Sequence, residues 1–482
     1  MIIFLVLIPV LAAALFFLLP AKKTRLIEMG VIVAAMVELV LAFRLVARVV
    51  AEETVRSAGV FAVDGLSVYL ILIIALVGFF VSLYSVGYLR AEVTKGIIGP
   101  RRVRQFFILL EIFLFAMYLA VSTVHPVITW TAVEATTLAT AFLISFYNKP
   151  SATEAAWKYL ILNSLGLLIG LLGTLLFLAL SDDHSGATDW ASLAAAAGSM
   201  TPDVAKIAFV LILVGYGTKV GLAPLHAWLP DAHSKAPSPI SALLSGVLLN
   251  VALFAVLRWK HITDLALGDT HFTGGLLIFF GTLSVVLAAF IIFVQKNYKR
   301  LLAYSSIEHM GLMTIGFGLG GVGTMAGLLH MFYHAIAKSM LFLLAGNIFL
   351  RFSSTKLKNV SGLFKALPLT GPLFFAGILM LAGLPPFALF VTKLLILSAG
   401  ITFSPWLVGV LLLALSVIFF GFFRILSALV YGPVPEGTER GESNRLTQLP
   451  VVLMFALLLV LSWQLPDPLP ALLQMITQNF SL

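Results

Sequence analysis

Four basic and four acidic residues stand inside long apolar runs of this 482-residue chain, and their chemistry is what the rest of the sequence has to position. The bases are Lys219, Lys338, Lys393 and Arg424; the acids are Glu38, Glu111, Glu134 and Glu308. A charge near the centre of a bilayer costs at least ~2.5 kcal/mol on insertion scales, so an ionisable group there is a functional hypothesis by default. Lysine suits proton handling in such a place. Desolvation favours its neutral form, a neighbouring glutamate favours the charged form, and moving or neutralising that partner releases the proton. Histidine titrates near neutrality and relays between such sites. The chain supplies His226 and His233 beside a Gly-Leu-Ala-Pro interruption, His309 next to Glu308, and the trio His330, His334 and Lys338. Spacing of i, i+4, i+8 puts that trio on one stripe of a helix.

The charges recur in a pattern. Glu134 and Lys219 are 85 residues apart, as are Glu308 and Lys393, and the two pairs are offset by 174. Two apolar runs are interrupted, by Gly221-Leu222-Ala223-Pro224 and by Gly383-Leu384-Pro385-Pro386. Proline removes a backbone donor and clashes with the preceding turn, so both helices are expected to break there. Broken spans in corresponding halves of a transporter point to its ion pathway. The pattern reads as a repeat of five spans, the fourth to eighth matched by the ninth to thirteenth. An odd number of spans per unit forces the two copies into opposite orientations.

Composition says what carries these residues. The chain is 61% apolar and 11% charged, against roughly 25% charged in soluble domains, so it is read as an all-α integral membrane protein. Apolar runs near 1–20, 26–48, 65–89, 105–122, 125–147, 156–180, 204–229, 237–258, 273–295, 301–319, 322–350, 369–400, 404–430 and 449–467 predict fourteen spans. They group as three N-terminal spans (1–89), a first repeat (105–258), a second, inverted repeat (273–430) and a C-terminal span with its tail (449–482). The opening run is long and apolar enough to remain as a span rather than a cleaved signal. Of the 30 lysines and arginines, 20 follow odd-numbered spans, six follow even-numbered ones, and four lie inside spans. The positive-inside rule then makes the odd loops cytoplasmic and puts both termini outside. The net charge of +9 therefore reflects topology, not nucleic-acid binding. With no cysteine, iron–sulfur clusters and thiol chemistry are excluded from this chain, and no cofactor or metal is expected in it.

Plainer readings stand beside the functional ones. Lys219 and Glu134 also read as a structural ion pair, and His330 with His334 as a metal site lacking a third ligand in register. Glu38 reads as facing a partner subunit, Glu111 as reaching water near a span's end, and Arg424 as snorkelling. His125 fits an interfacial turn. Aspartates 182, 183 and 189 fit a solvated outer loop.

The segments WTAVEATTLATAFLISFY (130–147), AAWKYLILNSLG (155–166), GYGTKVGLAPLHAWLPDAHSKAPSPISALLSGVLLN (215–250), KRLLAYSSIEHMGL (299–312) and HMFYHAIAKSMLFLLAGN (330–347) resemble the antiporter-like membrane subunits of complex I and group 4 hydrogenases. Within that family the resemblance is strongest to component F of hydrogenase-4 and formate hydrogenlyase assemblies. It implies fourteen helices, two inverted five-helix repeats with helices 7 and 12 broken, and proton transfer along a central polar axis. Carried over, Glu134, Lys219, His309, His330, His334, Lys338 and Lys393 match its axis, and the reading of the residues adds His226 and Glu308 to the same proton pathway. Several members place a lysine where this chain has Asn250, so Lys338, His330 or water must span that gap. The implied partners are the other membrane subunits of a hydrogenase-like or complex I-like assembly and its peripheral redox arm. The implied location is a prokaryotic cytoplasmic membrane. The alternatives are a subunit of a multi-subunit Na⁺/H⁺ antiporter and a membrane subunit energising inorganic-carbon uptake.

Overall fold

A computed structural model describes residues 1–182 and 188–480. Asp183 and the side chain of Asp182 lie outside the described residues. Asp189 is not simply solvated: it caps the N-terminus of a short helix by accepting from the Ser192 backbone N–H at 2.8 Å.

The chain opens with α1 (Ile2–Leu18), α2 (Thr24–Glu52), α3 (Gly65–Thr94), α4 (Pro100–Ser122), α5 (Pro126–Ile144) and α6 (Pro150–Asp182). A hairpin that the apolar pattern does not announce, β1 (Val55–Ser57) and β2 (Phe61–Val63), joins α2 to α3, with Val55 opposite Val63. The tight turn read between the fourth and fifth runs is present, with α4 ending at Ser122 and α5 starting at Pro126. Proline at a helix's first turn lacks only an N–H that has no partner there anyway.

Next come α7 (Trp190–Ala196), α8 (Pro202–Val220), α9 (Trp228–Lys235) and α10 (Ser238–Leu243), the last running through a π-helical turn at Leu244–Leu248 into α11 (Leu249–Leu267). After α12 (His271–Val294), α13 (Tyr298–Leu319) and α14 (Gly321–Phe352) follow α15 (Leu363–Ala366), α16 (Thr370–Ala382), α17 (Ala388–Phe403), α18 (Pro405–Val430), α19 (Arg445–Trp463) and α20 (Leu469–Asn479). Ten of these, with α10 and α11 taken as one continuous helix, are long and apolar enough to cross a membrane alone; α1, α16 and α17 are shorter apolar helices. The predicted runs all coincide with a helix or with a helix pair around a break.

Both predicted breaks are present and are built alike. Helix α8 ends at Gly221 and α16 ends at Gly383, each with φ of 83°, a conformation that glycine adopts without strain. In each, the next residue's N–H turns back onto the helix: Leu222 N to Gly217 O at 3.0 Å, Leu384 N to Leu379 O at 3.2 Å. Non-helical backbone at membrane depth must find partners within the protein. A serine on a neighbouring helix provides one at each break: Ser284 accepts from Ala223 N at 2.9 Å, and Ser462 accepts from Ala388 N at 3.1 Å.

Helices α3, α10–α11 and α14 are buried on nearly every side, whereas α2, α6, α18 and α19 each bury one face and leave an apolar one exposed. A helix apolar all round belongs in an interior. The polar stripe of α14 therefore lies at the centre of the bundle.

Candidate functional site

The first pair is joined through a hydroxyl. Thr137, one turn after Glu134 on α5, donates to Glu134 Oε2 at 3.1 Å and accepts from Lys219 Nζ at 2.8 Å. Lys219 also donates to the Tyr159 hydroxyl at 2.7 Å, and Ser164 donates to Glu134 Oε1 at 2.6 Å. Lys219 is fully buried in the last turn of α8, where a cation suits the negative end of the helix; Glu134 is half-buried. Tyr159 packs edge-on against Trp228, whose indole N–H donates to Thr218 O at 2.8 Å and so ties α9 back to α8. Thr137, Tyr159 and Ser164 escaped sequence reasoning, although the first sits three residues from Glu134 and the others lie in the distinctive 155–166 segment.

The second pair meets directly. Lys393 Nζ lies 2.8 Å from Glu308 Oε1 and donates at 2.8 Å to Leu381 O, a carbonyl left without a helical partner where α16 stops. A Cβ on Gly383 would stand 3.0 Å from Lys393 Cδ, so glycine at the break also makes room for this side chain. On the other side of Glu308, its Oε2 lies 3.8 Å from His309 Nε2. His309 Nδ1 is 2.7 Å from His330 Nε2, and His330 Nδ1 is 2.8 Å from Thr392 Oγ1. Neither Glu308 Oε2 nor His309 Nε2 has a hydrogen-bond partner, so His309 is bonded to the α14 seam and stands one short gap from the glutamate.

Within the seam, the rings of His309 and His334 are 5.0 Å apart, and neither nitrogen of His334 has a protein partner although the residue is buried. Lys338 Nζ donates to Ser305 Oγ and to Leu302 O, the latter at 3.2 Å. The π turn brings α10–α11 against α14 here. A Cβ on Gly246 would lie 2.1 Å from Ser339 Oγ and 2.7 Å from Ala335 O, so only glycine permits this approach. π turns recur at functional sites. Asn250 donates to Gly246 O at 2.8 Å and leaves its Oδ1 buried and open. Helix α11 packs against α8, and α10 with the π turn packs against α14, so Asn250, in the first turn of α11, stands where the helix passes from one neighbour to the other.

Other expected residues are placed differently. His226 is not among the hydrogen-bond partners of Lys219, and its ring lies 6.4 Å from that of Tyr304, while His233 stacks on Phe342. Glu38 does not face outward to a partner: it is buried and accepts from the Tyr118 hydroxyl at 3.3 Å. Glu111 is equally buried rather than reaching water. Lys260 and Lys299, read as loop residues, are buried on helices that run past their apolar stretches. Lys260 pairs with Asp264 at 2.5 Å, and Lys299 donates to Ala236 O at 2.8 Å. Arg424 is exposed and donates to Gln295 O at 2.9 Å. His125 is the N-cap residue of α5. No group of three or more histidine, aspartate or glutamate side chains among the described residues is arranged to hold a metal. His309 and His330 turn ring nitrogens toward each other instead.

Comparison with known proteins finds relatives of the chain. The family described as "NADH:quinone oxidoreductase/Mrp antiporter, TM" matches residues 124–419, and "NADH-Ubiquinone oxidoreductase (complex I), chain 5 N-terminus" matches residues 54–96. A hydrogenase-4 component F homolog from Methylacidiphilum infernorum is 38% identical over 409 residues, covering 83% of this chain and 84% of the relative. Hydrogenase-4 component B from Escherichia coli is 30% identical over 344 residues, 68% of this chain and 49% of that protein. Among solved structures, a chain of the archaeal membrane-bound sulfane sulfur reductase superposes with a TM-score of 0.88 at 25% identity, covering 99% of this chain and 97% of that one.

Proposed function

The chain belongs to the antiporter-like membrane-subunit family shared by complex I and Mrp antiporters, and from that premise we propose that it is the proton-translocating subunit of a redox-coupled complex of the hydrogenase-4 type. One observation carries the reading. Two buried lysines sit at two similarly built helix breaks, Lys219 joined through Thr137 to the half-buried Glu134 and Lys393 directly to the buried Glu308, and a histidine–lysine seam on the central helix leads away from the second of them.

In the first pair, Lys219 N–H donates to the Thr137 oxygen and Thr137 O–H donates to Glu134, an arrangement in which the ammonium passes a proton to the hydroxyl oxygen as the hydroxyl passes its own proton to the carboxylate. In the second, Lys393 donates to Glu308 and to a helix-terminal carbonyl, and His309, with Nε2 3.8 Å from the other oxygen of that carboxylate, is the next group toward His330 and His334. An unpartnered buried imidazole at His334 calls for bridging water, because buried polar groups are satisfied as a rule. Asn250 Oδ1, open where α10–α11 passes from α14 to α8, is a second point where water completes the route. His226 serves the approach to the first break rather than the pair itself.

Protons fit this axis better than sodium. Sodium wants a cage of oxygen ligands, and the oxygens around Glu134 are already engaged with Ser164, Thr137 and, through Thr137, the Lys219 ammonium. Redox chemistry belongs to partner subunits. The basic loops face the cytoplasm of a prokaryotic cell, and both termini face outward.

The test is reconstitution of the assembled complex in sealed vesicles, with proton movement followed by a pH-sensitive dye during redox turnover. Lys338→Met should abolish proton movement. Sodium-dependent movement that survives Lys338→Met would instead support the antiporter alternative.

A further inference from the structure

Away from the central axis, a cavity of about 380 Å³ opens on the face that carries most of the basic loops, where the end of α3, the end of α14 and the start of α19 meet. Arg90, Lys95, Arg351 and Arg445 all line it, against one lining carboxylate, Glu439, whose side chain is 87% exposed. Arg90 is engaged with Glu28 at 2.6 Å and Arg351 with Glu439 at 2.7 Å. Lys95 donates to Leu350 O, and among the described residues neither Lys95 nor Arg445 has a carboxylate partner. The cavity therefore keeps an excess of positive charge, and Arg351, one of its lining residues, has a buried Nε without a hydrogen-bond partner. Asn444, the N-cap residue of α19, also lines it, so the positive end of a 19-residue helix adds to the field.

This is the chemistry of a phosphate site, and α19 says where the phosphate comes from. Leu449 and Leu453 follow Arg445 at i+4 and i+8, so the three share one stripe of the helix. Both leucines are exposed, at 49% and 43%. A molecule with its anionic head against Arg445 has an apolar track directly below it. Basic pockets between membrane helices bind anionic lipid headgroups for this reason.

We propose that this cavity holds the phosphate headgroup of an anionic phospholipid whose acyl chains lie along α19. Bound there, the lipid ties together the ends of three helices that are distant in sequence, one of them the seam helix α14. The site is independent of the proton reading.

The experiment uses the delipidated, purified full chain and native mass spectrometry with phosphatidylglycerol, phosphatidylcholine or inorganic phosphate. Phosphatidylglycerol should bind saturably, phosphatidylcholine should not, and millimolar inorganic phosphate should fail to displace the lipid. The double variant Lys95→Gln/Arg445→Gln should weaken phosphatidylglycerol binding about thirtyfold, the product of two surface charge contacts. The charge-preserving pair Lys95→Arg/Arg445→Lys should restore it, which separates lost charge from lost fold. Equal binding of the two lipids, or unchanged binding by the glutamine variant, overturns the proposal. Displacement by inorganic phosphate assigns the cavity to a soluble phosphate and overturns the lipid. If the complex purified with the glutamine variant lacks partner subunits while the variant chain alone still binds phosphatidylglycerol, the cavity marks a protein contact and the proposal is overturned.

Discussion

Lys393 and Glu308 touch at 2.8 Å, whereas Lys219 and Glu134, separated by the same number of residues, are held apart by the hydroxyl of Thr137. The two halves of the axis are thus closed to different degrees. A direct buried pair leaves an uncompensated charge when one partner is removed, at a cost of about 3–5 kcal/mol. Glu308→Gln and Lys393→Met should each lower the thermal midpoint of the purified complex, and the double variant should lose much less than the sum. The corresponding cycle on Glu134 and Lys219 should show a smaller coupling, because Ser164, Thr137 and Tyr159 still satisfy the survivor. Equal couplings in the two cycles would contradict the asymmetry seen here.

Thr137 itself is testable without disturbing packing. Valine has the same shape and lacks the hydroxyl, so Thr137→Val removes both bonds of the relay. Hydrogen bonds to charged groups contribute about 1.5–3 kcal/mol each, and the variant should lose proton translocation far more than redox turnover. Thr137→Ser keeps the hydroxyl and should translocate normally. If valine and serine behave alike in the vesicle assay, the threonine is a spacer and not a relay.

The seam makes a third prediction. His334 has no protein hydrogen bond to lose, so His334→Met, which roughly keeps the volume, should leave the thermal midpoint of the complex nearly unchanged while proton movement collapses. A structural seam predicts the reverse. Asn250→Lys in the same background should restore part of the movement, since its side chain starts where α10–α11 passes from α14 to α8. A large drop in the midpoint with movement retained would assign the seam to architecture.

What was legible in the sequence follows from which physics acts locally. Hydropathy and proline interruption act within a single run, so the helices and both breaks at Gly221 and Gly383 could be read directly. Buried charge is costly wherever it occurs, so Lys219, Lys338, Lys393, Glu134 and Glu308 stood out by type. Partners contributed by other helices left weaker traces. Thr137, Tyr159, Ser164 and Ser305 are ordinary helix residues until folding brings an ammonium to them. The seam glycines show the same limit. By residue type Gly327 and Gly346 offer room beside the seam, yet the place a side chain would take at Gly346 is filled by the Tyr84 hydroxyl and Ser238, while Gly327 faces Phe317. Glu38 and Glu111 misled because hydropathy locates a residue along a helix but does not say which neighbour that side faces.

Lys260 and Asp264 supply the fourth prediction. They form a salt bridge one turn apart on α11 at 2.5 Å, with side chains only 5% and 4% exposed, and Thr273 of α12 donates to the same carboxylate. Neither belongs to the stripe that runs through His334 and Lys338, and the pair sits near the end of α11, whose C-cap is Gly268. The arrangement therefore reads as a brace between α11 and α12. Asp264→Asn leaves the Lys260 ammonium buried without its counter-charge and should destabilise the protein by about 3–5 kcal/mol. Removing both charges with Lys260→Met/Asp264→Leu should recover most of that loss, since an apolar replacement of similar size avoids the desolvation cost of either ion. Protons moved per redox turnover should be unchanged in every variant that assembles. If Asp264→Asn instead keeps its thermal midpoint and loses proton movement, the pair carries ions and the brace is wrong.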